Sequence, residues 1–402
     1  MTDDRALVSN SVAGITVSAI KAMAMRAAKV PGAASLTWGL PSFRTPDHIR
    51  HAVARALEAD PDIGKYTLPD GLPELRAAAA EAHRAATGIA VDPDRNVTVT
   101  AGNMEGVKTL LRAVLDPGDE VIVTDPGFAS HFIQIGLVGA RPVFWRLDEA
   151  RGWALDVEAL PGLIGPRSKA ILLVTPSNPT GRIFTEAELR EVGRIAQERN
   201  LLVVLDDPYC HFIYENRDRY FNLSGVPELA DRVAYLFTFS KCHAMSGWRL
   251  GYAVLPEWLK REVLKVHDAT MICAPRISQA AGLAALTGEQ EHLREFEDLL
   301  ARRRTLICER LDALSHVFDY VRPEGAYYVF PRILAEHRDS GEFAIRLLEQ
   351  AKVVVTPGSA FGPAGAHHVR MAFCVEDDVI ETAFDRIEAY FAQPGQSFGA
   401  VK

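Results

Sequence analysis

An α/β fold built around a mainly parallel sheet is what this chain predicts, and three observations predict it. Short apolar runs recur through its middle, helical patterns with readable ends separate them, and unusual polar residues follow the runs. The runs are residues 97–100, 121–124, 170–175, 201–205, 233–239 and 250–255. Most are continuous rather than alternating, the pattern of strands covered on both faces.

The intervening helices carry their own punctuation. Thr185 and Glu188 have capping-box spacing, and Asn200 closes that helix before Leu201. Pro73 stands in the first turn of an alanine-rich helix that Gly88 ends. Alternation of strand and helix is the signature of an α/β arrangement. From about Gly288 the character changes. A charged helical stretch over 289–314 leads to strands at 327–330, 353–355 and 369–373, then to a helix from near Glu376 to Phe391. The expected organisation is therefore an N-terminal arm that joins the small domain (1–45), a large domain (46–287) and a small α+β domain (288–402).

Composition excludes more than it selects. The 402 residues are 48% hydrophobic and 24% charged, ordinary for a soluble globular enzyme. A net charge of -8, from 44 basic and 52 acidic residues, argues against nucleic acid as a partner. No apolar run approaches the roughly 18 residues of a membrane span. The chain opens with Asp3 and Asp4, without a basic-then-apolar export signal. Residues 18–29 form a basic amphipathic stretch, read as an arm that packs on the body or on a second subunit. Five cysteines, Cys210, Cys242, Cys273, Cys308 and Cys374, never pair as CxxC. Neither a disulfide framework nor a metal site is indicated, and a cytoplasmic location is the expectation.

Ligands of open α/β sheets bind beyond the carboxyl ends of the strands. Those ends hold Gly102-Asn103-Met104, Asp125-Pro126-Gly127-Phe128, Asn178-Pro179-Thr180-Gly181, Asp206 and Ser240-Lys241. Lysine forms imines with carbonyl groups when it is deprotonated and aimed. Thr238 and Ser240 place hydroxyls beside Lys241, and Arg249, eight residues on, has a planar fork suited to phosphate. An isolated Ser-Lys reads first as a lysine in a surface loop. GxGxxG and GxxxxGK[ST] are both missing, so dinucleotide and P-loop readings lack support.

The run from Ser240 to Gly251 resembles the cofactor-lysine motif of class I/II aminotransferases, the fold-type I enzymes that use pyridoxal 5′-phosphate. Ser-Lys, a short gap and Gly-Trp-Arg-hydrophobic-Gly all match, and the resemblance extends from about Gly39 to Arg370. It implies a large domain with a seven-stranded sheet, with the cofactor held as an imine on Lys241. It implies that Asp206 keeps the pyridine nitrogen protonated, while Tyr209 and Asn178 donate to the ring oxygen. Asp207-Pro208 departs from the usual residues between the aspartate and the tyrosine, read as local turn variation. Gly102, Asn103 and Met104 at a helix start, with Thr238, Ser240 and Arg249, would hold the phosphate. Phe128 would stack on the ring, and Arg370 would clamp the substrate carboxylate. Tyr66 would reach the phosphate of a neighbouring subunit, making the enzyme a homodimer, and Gly39 and Trp38 would border the substrate.

Each assignment has a plainer rival: a capping role for Asp206, core packing for Phe128 and Trp38, a structural ion pair for Arg370. The implied reaction moves an amino group from an L-amino acid to a 2-oxo acid, with Lys241 carrying the proton. A carbon–sulfur β-lyase is the alternative, and a regulator with an aminotransferase-like domain a more distant one. Arg276 is open between binding a distal substrate carboxylate and pairing at an interface.

Overall fold

The computed structural model describes residues 7–15, 19–334 and 339–392, so Asp3, Asp4 and Ser18 lie outside the described residues. Its largest sheet has the spatial order Val97–Thr100, Gly251–Val254, Val233–Thr238, Leu202–Asp207, Ser168–Val174, Glu120–Asp125, Arg141–Asp148 and Ala154–Leu155. The four central pairings, from Val233–Thr238 across to Arg141–Asp148, are parallel. The flanking pairings are antiparallel. The expected mainly parallel sheet is borne out, with strand ends shifted by a residue or two.

Continuous apolar runs become central strands because alternate side chains serve two helical layers. Val121, Val123, Ala170, Leu172, Leu202, Val204, Ala234 and Leu236 share one cluster with Val107, Leu110, Leu111, Leu259 and Val263. Those last residues belong to the helices Asn103–Val114 and Glu257–Met271. Ile122, Ile171, Leu173, Val203, Leu205, Tyr235 and Phe237 join the opposite cluster with Leu75, Leu189, Val192 and Ala281. Two strands of this sheet escaped the sequence reading. Arg141–Asp148 buries only alternate residues near its end, and Ala154–Leu155 is two residues long. A half-exposed edge strand does not produce the apolar run that reveals a central one.

Helix ends form as their residues dictate. Thr185 Oγ1 accepts from the Glu188 amide at 3.2 Å, while Glu188 Oε2 accepts from the Thr185 amide at 2.7 Å. Gly88 caps the helix Pro73–Thr87 at φ 77°, a left-handed conformation that glycine adopts freely.

In the C-terminal part, Val369–Ala372 pairs antiparallel with both Tyr328–Val329 and Thr356–Pro357. Ala34–Ser35 pairs parallel with Val353–Val354. Leu36 then accepts from the Ala372 amide at 2.7 Å, and the Ser42 amide donates to Cys374 at 2.9 Å. These bonds bring Thr37, Trp38 and Gly39 beside Arg370. Among the described residues, no helix is long and apolar enough to cross a membrane.

Candidate active site

The carboxylate of Asp206 stands one residue from the end of a fully buried strand, where an unpartnered charge would be costly. Two side chains meet it. Asn103 Nδ2 donates to Oδ1 at 2.7 Å, and His131 Nε2 lies 2.9 Å from Oδ2. Asn103 opens the helix Asn103–Val114, and His131 lies in Ala129–Leu137. Glycine is needed opposite: a Cβ on Gly251 would stand 2.8 Å from both Asn103 Oδ1 and the Phe237 carbonyl. The last glycine of the lysine motif thus clears room for the asparagine that supports Asp206.

Lys241 follows the strand Val233–Thr238, and its Nζ donates to the Gly39 carbonyl at 2.9 Å. Burial pushes its pKa down to about 8, and the positive charges of Arg370 and Arg249 act in the same direction. The loop after it is tied down at Thr45, whose Oγ1 donates to the Ala244 carbonyl at 2.7 Å and accepts from Trp248 Nε1 at 3.2 Å. Arg249 leaves that loop at φ 52°, with its guanidinium packed over Gly102. A Cβ on Gly102 would lie 2.6 Å from Arg249 Nη2, so glycine lets the guanidinium reach the helix start. Thr238 Oγ1 and Ser240 Oγ, 2.9 Å apart, complete this end.

Arg370 is only 2% exposed, yet it meets no carboxylate among the described residues. Its Nη1 donates to Asn178 Oδ1 at 3.1 Å and its Nη2 to the Thr37 carbonyl at 2.6 Å. Its Nε has no partner there. The guanidinium carbon lies 4.4 Å from the Tyr328 ring centre and 4.9 Å from that of Phe361. Such faces attract cations but do not neutralise them. Tyr328 and Tyr209 bring their hydroxyls to 3.1 Å.

These groups surround one cavity of about 240 Å³. Gly39, Asn103, Met104, Phe128, Asn178, Asp206, Tyr209, Thr238, Ser240, Lys241, Arg249 and Arg370 all line it. Gly102 stands behind Arg249, and Trp38 and Tyr66, 50% and 73% exposed, do not line it. Sequence reasoning missed His131, Tyr328, Ser246, Pro208 and Ile20. His131 follows Phe128 by three residues, one helical turn, a spacing that offered a hint. Ile20 belongs to the amphipathic arm and carried no such sign.

Comparison with known proteins places the chain in a family. The sequence model of the family Aminotransferase class I and II matches residues 34–387. The chain belongs to the class I and II aminotransferases. It is a fold-type I, pyridoxal-phosphate-dependent aminotransferase. It is 33% identical to aromatic-amino-acid aminotransferase 2 of Thermococcus litoralis, over 95% of this chain and 97% of that one. It is 34% identical to an aspartate aminotransferase of Pyrococcus horikoshii, over 95% and 96%. Among solved structures, the aspartate aminotransferase from Thermus thermophilus with maleate superposes with a TM-score of 0.89. The two are 34% identical, covering 95% of this chain and 99% of that one.

In this aminotransferase Arg276 bonds to Asp60 at 2.9 and 3.0 Å and does not line the cavity. The five cysteines are free thiols, four of them buried.

Proposed function

We propose that Lys241 carries pyridoxal phosphate in this cavity and, once released from it, moves the proton at the substrate α-carbon. The observation that carries the reading is the meeting of three groups in one cavity: a lysine with a lowered pKa, a doubly supported aspartate and a buried arginine that meets no carboxylate among the described residues. The donor set fits the cofactor. Arg249, Thr238, Ser240 and the helix start at Gly102, Asn103 and Met104 would hold its phosphate. Asp206 would hold the pyridinium, Phe128 would lie against the ring, and Asn178 and Tyr209 would serve its hydroxyl oxygen. Because Asn178 Oδ1 accepts from Arg370, its amide nitrogen remains free to donate. Bound there, pyridoxal phosphate supplies an electron sink that acidifies the α-hydrogen of an amino acid.

The chain's own groups do the rest. Near pH 8 a sizeable share of Lys241 is the free amine, able to accept a proton and return it elsewhere. Arg370, already pointed by Thr37, Asn178 and the Tyr328 ring, offers its fork to the substrate carboxylate. Gly39 lends its carbonyl to both Lys241 and Tyr327, whose hydroxyl donates at 3.1 Å.

The same reading makes the active enzyme a homodimer in which the exposed Tyr66 reaches the neighbouring phosphate. It divides the chain near Pro46 and Gly288, supported by the pairing of Ala34–Ser35 with Val353–Val354. Buried free thiols suit a reducing cytoplasm. The test is Lys241→Ala: turnover of every amino acid and the absorption of the covalently held cofactor should both vanish. Retained turnover would overturn the assignment.

A further inference from the structure

Two stretches far apart in the sequence meet at Asp125, outside the lining of the cavity. Asp125 is the last residue of the strand Glu120–Asp125 and is 5% exposed. Its carboxylate accepts the Ala364 amide, at 3.0 Å on Oδ1 and 3.1 Å on Oδ2. A buried carboxylate without such a donor would be costly. Two residues on, the Gly127 amide donates to the Phe361 carbonyl at 2.8 Å. These bonds fasten residues 125–128, with Phe128 at their end, to the short segment 361–364. Gly362, at φ 114°, makes the approach possible, because a Cβ there would stand 2.3 Å from Asp125 Oδ1.

The same segment reaches Arg370 by two routes. The Phe361 ring centre lies 4.9 Å from the Arg370 guanidinium carbon. The backbone around it is also tied to the strand that carries Arg370. The Gly358 amide donates to the His368 carbonyl at 2.8 Å, and the His368 amide donates to the Gly365 carbonyl at 3.0 Å. There is little slack between these ties: a Cβ on Gly365 would stand 2.0 Å from the Gly358 carbonyl. Close packing of this kind transmits a displacement instead of absorbing it. We propose that Asp125 is a positioning residue, which holds Phe128 and Arg370 in register with each other through segment 361–364. The proposal rests on the roles given above to those two residues. They grip opposite parts of one reacting assembly, and a misplacement of about 1 Å in such a pair can cost about 10²-fold in rate.

The experiment compares the holoenzyme with Asp125→Ala and with Asp125→Asn, which keeps an oxygen for the Ala364 amide. Asp125→Ala should lower kcat/KM for the best amino acid by about tenfold or more, and Asp125→Asn by about threefold or less. In an Arg370→Lys background the Asp125→Ala loss should shrink by about threefold or more, whereas independent residues multiply to within about twofold. Peptide-resolved hydrogen exchange reads the link apart from turnover. In Asp125→Ala the peptide holding Gly127, whose amide Asp125 does not itself bond, should exchange about tenfold faster, together with that holding Ala364. Gly362→Ala presses on the carboxylate from the other side, and it should reproduce both the kinetic loss and the faster exchange at Gly127 if Asp125→Ala does not fold. A lower thermal midpoint with kcat/KM and Gly127 exchange unchanged would make Asp125 purely structural and overturn the proposal. Losses that simply multiply with Arg370→Lys, or Asp125→Asn as impaired as Asp125→Ala, would overturn it too. The reading beneath it fails separately: Lys241→Ala that keeps the bound cofactor's absorption would remove that reading whatever the Asp125 variants do.

Discussion

His131 Nε2 lies 2.9 Å from Asp206 Oδ2, with both side chains buried and Asn103 on the other carboxylate oxygen. A carboxylate fixed at both oxygens keeps its charge at one point, which is what holding a pyridinium requires. A hydrogen bond to a charged group is worth about 1.5–3 kcal/mol. His131→Phe should therefore lower kcat by about tenfold or more, and Asp206→Ala by about 10²–10³. The check is steady-state turnover, with a pH titration of the bound cofactor's absorption. An unchanged kcat in His131→Phe would mean that Asn103 alone suffices.

Lys241 should impose a pH dependence on cofactor uptake by the apoprotein. Only the neutral amine attacks a carbonyl, and burial brings the pKa down to about 8. The second-order uptake rate should climb as pH rises toward 8 and flatten above it, instead of climbing on toward 10. The linkage has the same sign. Between about 8 and the unfolded value near 10.4, the unfolded chain keeps a proton that the folded one has lost, so this lysine's contribution to stability rises with pH. Lys241→Arg should abolish covalent uptake at every pH, which stopped-flow absorbance would read directly.

Arg370 is positioned before any substrate arrives, so its loss should be felt mainly in substrate capture. Arg370→Ala should lower kcat/KM by about 10²-fold, consistent with about 1.5–3 kcal/mol for a charge-assisted pair plus lost orientation. Arg370→Lys should recover only part, because an ammonium cannot contact Asn178, Thr37 and a carboxylate as a planar fork does. Steady-state kinetics on the best donor would separate these effects, and full rescue by lysine would refute the fork argument.

His243, His292 and His211, whose pKa values burial lowers, should make the fold acid-sensitive. His243 Nδ1 and His292 Nε2 are 2.9 Å apart, and the His48 ring centre is 5.5 Å from that of His292. Burial first, and neighbouring histidine charge second, push His292 down to about 4 and His243 well below its usual value; burial and Arg217 bring His211 to about 4. Between pH 6.5 and 4 the unfolded chain binds protons that the folded chain refuses, so stability falls as pH falls through that window. The thermal midpoint should drop from pH 7.5 to pH 5, and His292→Phe should flatten the dependence.

What could be read in the sequence depended on how local its cause was. The six buried strands were legible because two helical layers demand apolar residues at most positions. The lysine motif was legible because Lys241, Arg249 and Gly251 lie within one loop and its following strand. His131 and Tyr328 were not legible, since each acts through a partner far along the chain, Asp206 and Arg370. Arg141–Asp148 was lost because, next to the edge of the sheet, it buries only alternate residues near its end. The unusual residues collected at strand ends, so parallel topology alone was enough to bring them together.

Gly39 offers the sharpest test of how tightly the substrate end is packed. A Cβ at this position would stand 1.8 Å from the Tyr328 hydroxyl and 2.9 Å from its ring carbon. Tyr328 cannot step aside cheaply: its hydroxyl meets Tyr209, its ring carries the Arg370 guanidinium, and it is buried. Either the ring or the Gly39 backbone must move, and the Gly39 carbonyl holds Lys241 and Tyr327. Overpacking of this kind costs about 1–3 kcal/mol. Gly39→Ala should therefore lower the unfolding midpoint and reduce kcat/KM by about tenfold or more. Tyr328→Phe keeps the ring under Arg370 and loses only the hydroxyl, so it should cost less activity than Gly39→Ala. The double variant relieves the 1.8 Å contact, and it should recover stability relative to Gly39→Ala alone. Additive losses in the double variant would show that the two residues do not press on each other.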